Sequence, residues 1–167
     1  MKKILVLPLL LTLLLLCAGC SSDGDGADGL KKRLALPFEY SVKSDAYSFT
    51  YKKEEGKATA TLTSPESLGG LTLVRDESGV NASYDGITVT LPPRAAKRIF
   101  TLDDVINAVS SSLGDGTYVS ESTGTGRVYK TTSGIYVYSV EVNGKTGDVV
   151  SAKAENGTET YEYTFLQ

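Results

Sequence analysis

Histidine and tryptophan are absent from this 167-residue sequence, methionine occurs once, and cysteine twice. Each absence removes a class of chemistry. Without histidine the chain lacks the side chain that titrates near neutral pH unassisted. It also lacks a His-activated Ser or Cys nucleophile and any imidazole ligand for a metal. Both cysteines, Cys17 and Cys20, lie near the N-terminal end. The remainder has no disulfide framework and must be held by its core. Convergent acidic pairs are missing too. Glu54-Glu55 and Asp103-Asp104 are sequence neighbours, which a strand sends to opposite faces and a helix does not bring face to face. Asp23, Asp25 and Asp28 read as a solvated acidic stretch rather than a calcium site. Gly124-Thr125-Gly126 lacks the lysine and the strand–loop–helix setting of a phosphate loop. The expectation is a chain without catalytic residues, metal or cofactor, and so not an enzyme.

What is present begins with an export signal. Lys2 and Lys3 precede an apolar run from Ile4 to Leu16, broken only by Pro8 and Thr12. The run is too short to cross about 30 Å of hydrocarbon as a helix, and its flanks are those of a secretory signal. It ends in Leu16-Cys17-Ala18-Gly19-Cys20, which resembles the lipobox of bacterial lipoproteins. That resemblance implies that residues 1–19 are removed and that Cys20 is diacylated. The chain would then be lipid-anchored to the cell membrane on its extracytoplasmic face, where multiple acyl chains give lasting attachment. Removing Lys2 and Lys3 from the 17 basic residues leaves 15 against 20 acidic ones, a net charge of −5. Such a balance argues against nucleic acid or an anionic lipid surface as the main partner.

Residues 20–35 read as the lipidated cysteine and a flexible tether. Ser21 to Gly29 contains no apolar residue larger than Ala, and a random coil of that length holds the domain roughly 17 Å from the bilayer. Lys31, Lys32 and Arg33 read as the solvated first turn of a short helix carrying Leu30, Leu34 and Leu36.

Residues 36–167 read as one β-rich domain. Tyr47, Phe49 and Tyr51 alternate with Ser48, Thr50 and Lys52; Ala58, Ala60 and Leu62 alternate with Thr59, Thr61 and Thr63. This is the period of half-buried strands. Further strands are expected over 71–73, 80–84, 87–91, 118–122, 127–132, 135–142, 149–154 and 158–166, about ten in all. Asp85-Gly86 marks a two-residue hairpin. One helix interrupts them. Leu102, Val105, Ile106, Val109 and Leu113 form a single apolar stripe. Thr101 with Asp104 resembles a capping box, and Gly114 is placed as the C-terminal cap. The fold class expected is mainly β with one helix, a curved antiparallel sheet wrapped on that amphipathic helix.

The stretch Thr63–Asp85 contains Ser64-Pro65-Glu66, Leu68, Gly70-Leu71, a Gly-centred turn and a Tyr84-Asp85-Gly86 hairpin. With Val142-Asn143-Gly144-Lys145-Thr146-Gly147-Asp148-Val149-Val150 and the closing aromatic strand Tyr161–Leu166, it resembles Gram-positive lipoproteins of the LolA-like superfamily. The resemblance covers roughly residues 30–167. It implies a half-barrel of antiparallel strands capped by helices, with an apolar groove that holds acyl chains in the carriers.

Inward strand positions would line such a groove: Tyr47, Phe49, Tyr51, Ala58, Ala60, Leu62, Ile87, Val89 and Leu91. Alternatively these residues are plain core, with Ala58 and Ala60 letting the helix pack closely. Two functions follow. One is binding a lipid or other apolar ligand in the groove. The other is a non-catalytic structural or signalling role through contacts with another envelope protein, for which Tyr136, Tyr138, Tyr161 and Tyr163 offer a surface. The anchor itself generates a direct test. Cys20→Ser is expected to move the protein from the membrane to the aqueous phase in detergent partitioning, while Cys17→Ser leaves it membrane-bound; the reverse pattern would overturn the lipobox assignment.

Overall fold

The computed structural model describes residues 24–166; the expected export signal and Cys20 lie outside them. Helix α1 (Gly24–Arg33) leads into a meander of six strands: β1 (Phe38–Lys43), β2 (Ser48–Glu54), β3 (Lys57–Ser64), β4 (Thr72–Asp76), β5 (Gly79–Tyr84) and β6 (Ile87–Leu91). A 3-10 turn, Pro93–Ala96, feeds the long helix α2 (Lys97–Asp115). Five strands follow: β7 (Val119–Ser122), β8 (Gly126–Ser133), β9 (Tyr136–Asn143), β10 (Val149–Glu155) and β11 (Thr160–Leu166). All eleven strands form one open antiparallel sheet in the order β6-β5-β4-β3-β2-β1-β11-β10-β9-β8-β7. The fold is thus mainly β with one long helix.

The only non-sequential neighbours are β1 and β11, paired at Val42–Phe165. This pair joins two separate meanders into one sheet. β1 is the strand that the expected set of ten omits, although Phe38, Tyr40 and Val42 alternate with Glu39, Ser41 and Lys43. At the β5–β6 hairpin, Asp85 and Gly86 both take positive φ, 49° and 81°. A two-residue turn of the I′ type requires this.

Registers place one continuous set of side chains on the helix-facing side: Val42, Phe49, Tyr51, Ala58, Ala60, Leu62, Leu73, Val80, Ala82, Tyr129, Val140, Ala152, Tyr163 and Phe165 are buried. The other side carries Thr, Ser, Lys and Glu. α2 covers the buried side through Leu102, Val105, Ile106, Val109 and Leu113, all buried, and touches β3 and β8–β11. Its ends differ from expectation. Thr101 is inside the helix, where its hydroxyl donates to the Lys97 carbonyl at 2.9 Å instead of capping. The left-handed cap is Gly116, not Gly114.

The largest departure is α1. Glycine and aspartate predict a disordered spacer, yet Gly24–Arg33 is helical. Two physical terms outweigh the propensity cost of its glycines. Ala27, Leu30 and Leu34 recur on one face and are buried, Leu30 to 1% exposure. Lys31, Lys32 and Arg33 occupy its last turn, where the helix dipole favours positive charge. The basic residues therefore end the helix rather than begin one. Arg33 donates to the Thr146 carbonyl at 2.7 Å and pairs with Asp148, fastening α1 to the β9–β10 loop. Leu36 is exposed.

A helical, packed α1 makes opposite predictions for two neighbours. The space a Cβ would fill at Gly29 is empty, so Gly29→Ala should add about 0.5–1 kcal/mol in urea unfolding. Leu30→Ala should cost about 2–5 kcal/mol. A disordered spacer would register neither change.

Candidate functional site

α2 has 19 residues, about 28 Å of helix. Strands sit about 4.8 Å apart, so a helix of that length spans roughly seven strands, which is the stretch from β3 to β8. Strands β4, β5 and β6 extend past its N-terminal end. Their inner face is only partly covered, and two cavities open there.

The first encloses about 410 Å³. Its floor is Leu62, Leu73 and Leu91 from the sheet, with Leu68 and Leu71 from the turn between β3 and β4. Its wall is the 3-10 turn from Arg94 to Ala96 and the first residues of α2, Lys97 to Ile99, and its charged groups are Arg94, Lys97 and Arg98. Tyr47 and Tyr161 complete the lining. The second cavity, about 290 Å³, is lined by Arg75, Val80, Phe100, Thr101 and Asp104, and shares Arg94 and Lys97 with the first.

The expected groove residues separate into three groups. Tyr47, Leu62 and Leu91 line the larger cavity. Phe49, Tyr51, Ala58 and Ala60 are buried beside or beneath α2 and line neither cavity. The small side chains at 58 and 60 let the helix approach β3. Ile87 and Val89 lie on the same sheet side, opposite Tyr84 and Ala82, but beyond the cavities, and are 69% and 50% exposed. The tyrosine surface is likewise divided: Tyr163 is buried, whereas Tyr136, Tyr138 and Tyr161 are half-buried. Cys20 lies outside the described residues.

Next to the cavities is a polar cluster that the sequence reading did not identify. Asp103 is only 2% exposed. Its Oδ1 accepts from the Tyr51 hydroxyl at 2.7 Å and from Lys53 Nζ at 2.6 Å. Its Oδ2 faces Arg75 Nη2 at 2.7 Å, and the same nitrogen donates to Asp104 Oδ1 at 2.7 Å. Arg75 Nη1 also donates to the Phe100 carbonyl at 3.2 Å. Burial, and then the Asp103 charge, push the Tyr51 hydroxyl far above its usual range, so it remains a donor. The signal was strand parity. Lys53 continues the Phe49–Tyr51 series and Arg75 the Leu71–Leu73 series, so both cations face inward and need a carboxylate there.

The cations at the larger cavity differ in their partners. Lys97 Nζ pairs with Glu159 Oε2 at 2.8 Å and lies over the Tyr161 ring at 5.4 Å. Arg98 pairs with Asp45. Arg94 is exposed and makes no ion pair among the described residues. Among the described residues no group of three or more acidic side chains is placed to hold a metal, and no helix is long and apolar enough to cross a membrane.

Compared with known proteins, the chain matches no family model and no curated protein.

Deleting one partner of a buried ion cluster leaves the others desolvated and unpaired, typically at roughly 3–5 kcal/mol. Asp103→Ala is expected to cost that much in urea unfolding, and more than Asp104→Ala, whose carboxylate is half exposed. Equal, small losses would show that the cluster does not hold α2 in place.

Proposed function

We propose that this protein is a membrane-anchored extracytoplasmic lipoprotein that binds a lipid or another apolar ligand, and that its sheet is a half-barrel of the LolA-like kind. The observation carrying the reading is the 410 Å³ cavity between β3–β6 and the start of α2, with five leucines in its lining. Ligand sites are typically about 300–1,000 Å³, mostly apolar, with few polar groups, and this cavity has that size and composition. The eleven-stranded antiparallel sheet with helices on one side agrees with the architecture that the sequence resemblance implies. Anchoring at Cys20 would keep such a site near a membrane, with only Ser21, Ser22 and Asp23 between the acylated residue and α1.

One observation favours a protein–protein role instead. β6 is an unpaired edge strand whose inner side exposes Ile87 and Val89, and an open edge can accept a strand from a partner. The two readings predict different occupants of the same end of the sheet.

The absence of tryptophan makes a direct measurement available. Leu91→Trp places a single indole at the cavity. Titration with dodecanol is expected to shift its emission to the blue, saturably and at micromolar concentrations. An emission spectrum that ignores dodecanol, in a protein whose circular dichroism is unchanged, would sink the ligand-binding reading and leave the edge-strand role.

A further inference from the structure

We infer that the ligand is a single-chain amphiphile with a carboxylate head, a free long-chain fatty acid, and that Arg94 holds its carboxylate; this rests on the ligand-binding reading above. Three observations carry it. The chain is acidic overall, yet the side chains lining the larger cavity include three cations and no carboxylate. Two of those cations are already neutralised, Lys97 by Glu159 and Arg98 by Asp45. Arg94 remains without a counter-charge among the described residues, on the 3-10 turn between β6 and α2. It lines both cavities, where an apolar tail lying on Leu73 and Leu91 would bring its head.

The neighbouring cations cannot take that role as well. Arg75 is fully engaged by Asp103, Asp104 and the Phe100 carbonyl. Lys97 is already neutralised by Glu159, whose Oε2 also accepts from the Tyr136 hydroxyl at 2.9 Å. A guanidinium offers a carboxylate two parallel donors, a stronger and more directional pairing than a single ammonium contact. One uncompensated positive charge matches one negative head. At about 410 Å³ the cavity is at the small end of ligand sites, which fits one chain rather than the two of a phospholipid.

The test compares dodecanoate with dodecanol, equal in chain and different in head, by emission of the Leu91→Trp protein at neutral pH. Dodecanoate is expected to bind about tenfold more tightly, the low end for hydrogen bonds to a charged group, and rising salt should narrow the gap. Arg94→Gln should bring the two ligands to equal affinity through the loss of tight dodecanoate binding, with the unfolding midpoint retained, because the Arg94 side chain has no ion-pair partner among the described residues. Equal affinities in the Leu91→Trp protein, or a dodecanoate preference that survives Arg94→Gln, would overturn the assignment while the apolar site stands. Failure of both ligands to bind the Leu91→Trp protein, and to raise the thermal unfolding midpoint of the protein that keeps Leu91, would overturn the site itself.

Discussion

Asp103 connects the two halves of the protein. α2 is carried by the apolar inner side of β8–β11, which belong to the second meander. Asp103 reaches from that helix to Tyr51 and Lys53 on β2 and to Arg75 on β4, in the first. Apolar packing is non-directional and would tolerate a helix sliding along the sheet. A carboxylate with three donors is not tolerant, since leaving any of them unpaired in a buried place is costly. The cluster therefore fixes the axial position of α2. That in turn fixes where its N-terminal end stops, and so where the cavities begin.

The cavities are a consequence of covering a wide sheet with a short helix. Eleven strands make a face roughly 48 Å across, and about 28 Å of helix cannot cover it. α1 helps at the other end. Ala27, Leu30 and Leu34 are buried there, and the Arg33 contacts place the helix beside the β9–β10 loop. Among the described residues no helix covers β6, whose Ile87 and Val89 stay exposed. The chain instead sends the 3-10 turn Pro93–Ala96 past β5 and β6, and Ala96 is the buried residue of that turn next to the start of α2. Small residues at 95 and 96 leave room where larger ones would fill the cavity.

Much of this was legible in the sequence because strand and helix periods are strong signals. Ile87–Leu91 was located to the residue, and the apolar stripe of α2 is the one observed. The failures have separate causes. β1 was missed because six residues after Leu36-Pro37 give a short alternation, and its importance is topological: no local pattern states that it pairs with β11. α1 was read from its polar composition, while its stability comes from three buried side chains and charge matched to the helix dipole. The Asp103 cluster was missed because Lys53 and Arg75 look like ordinary outward charges until their strand parity is counted. In the cavity, Tyr47, Leu62 and Leu91 follow from parity and Leu71 shares the parity of Leu73, whereas Leu68 and Arg94 sit on 3-10 turns, where no strand period applies.

β6 presents a local pattern at odds with its surroundings. On its outer side Thr90 donates to Asn81 at 2.9 Å, and Thr88 and Ser83 hydroxyls meet at 2.7 Å, a polar surface suited to water. On its inner side Ile87, Val89 and Leu91 repeat the alternation of the buried strands, yet Ile87 and Val89 are largely exposed, as is Tyr84 beside them at 52%. A strand that alternates cleanly is one whose apolar side is meant to be covered. Contiguous apolar surface left open on a folded domain marks a binding site or an aggregation hazard. Nothing in the described chain shields these three side chains, and they lie on the same sheet side as Leu73 and Leu91 in the cavity. The mismatch between pattern and exposure calls for a cover that the described residues do not supply. The two proposed occupants would cover this surface differently: an apolar tail leaving the cavity along β6 would shield Val89 and then Ile87, whereas an added strand would pair with the β6 backbone and leave the cavity empty.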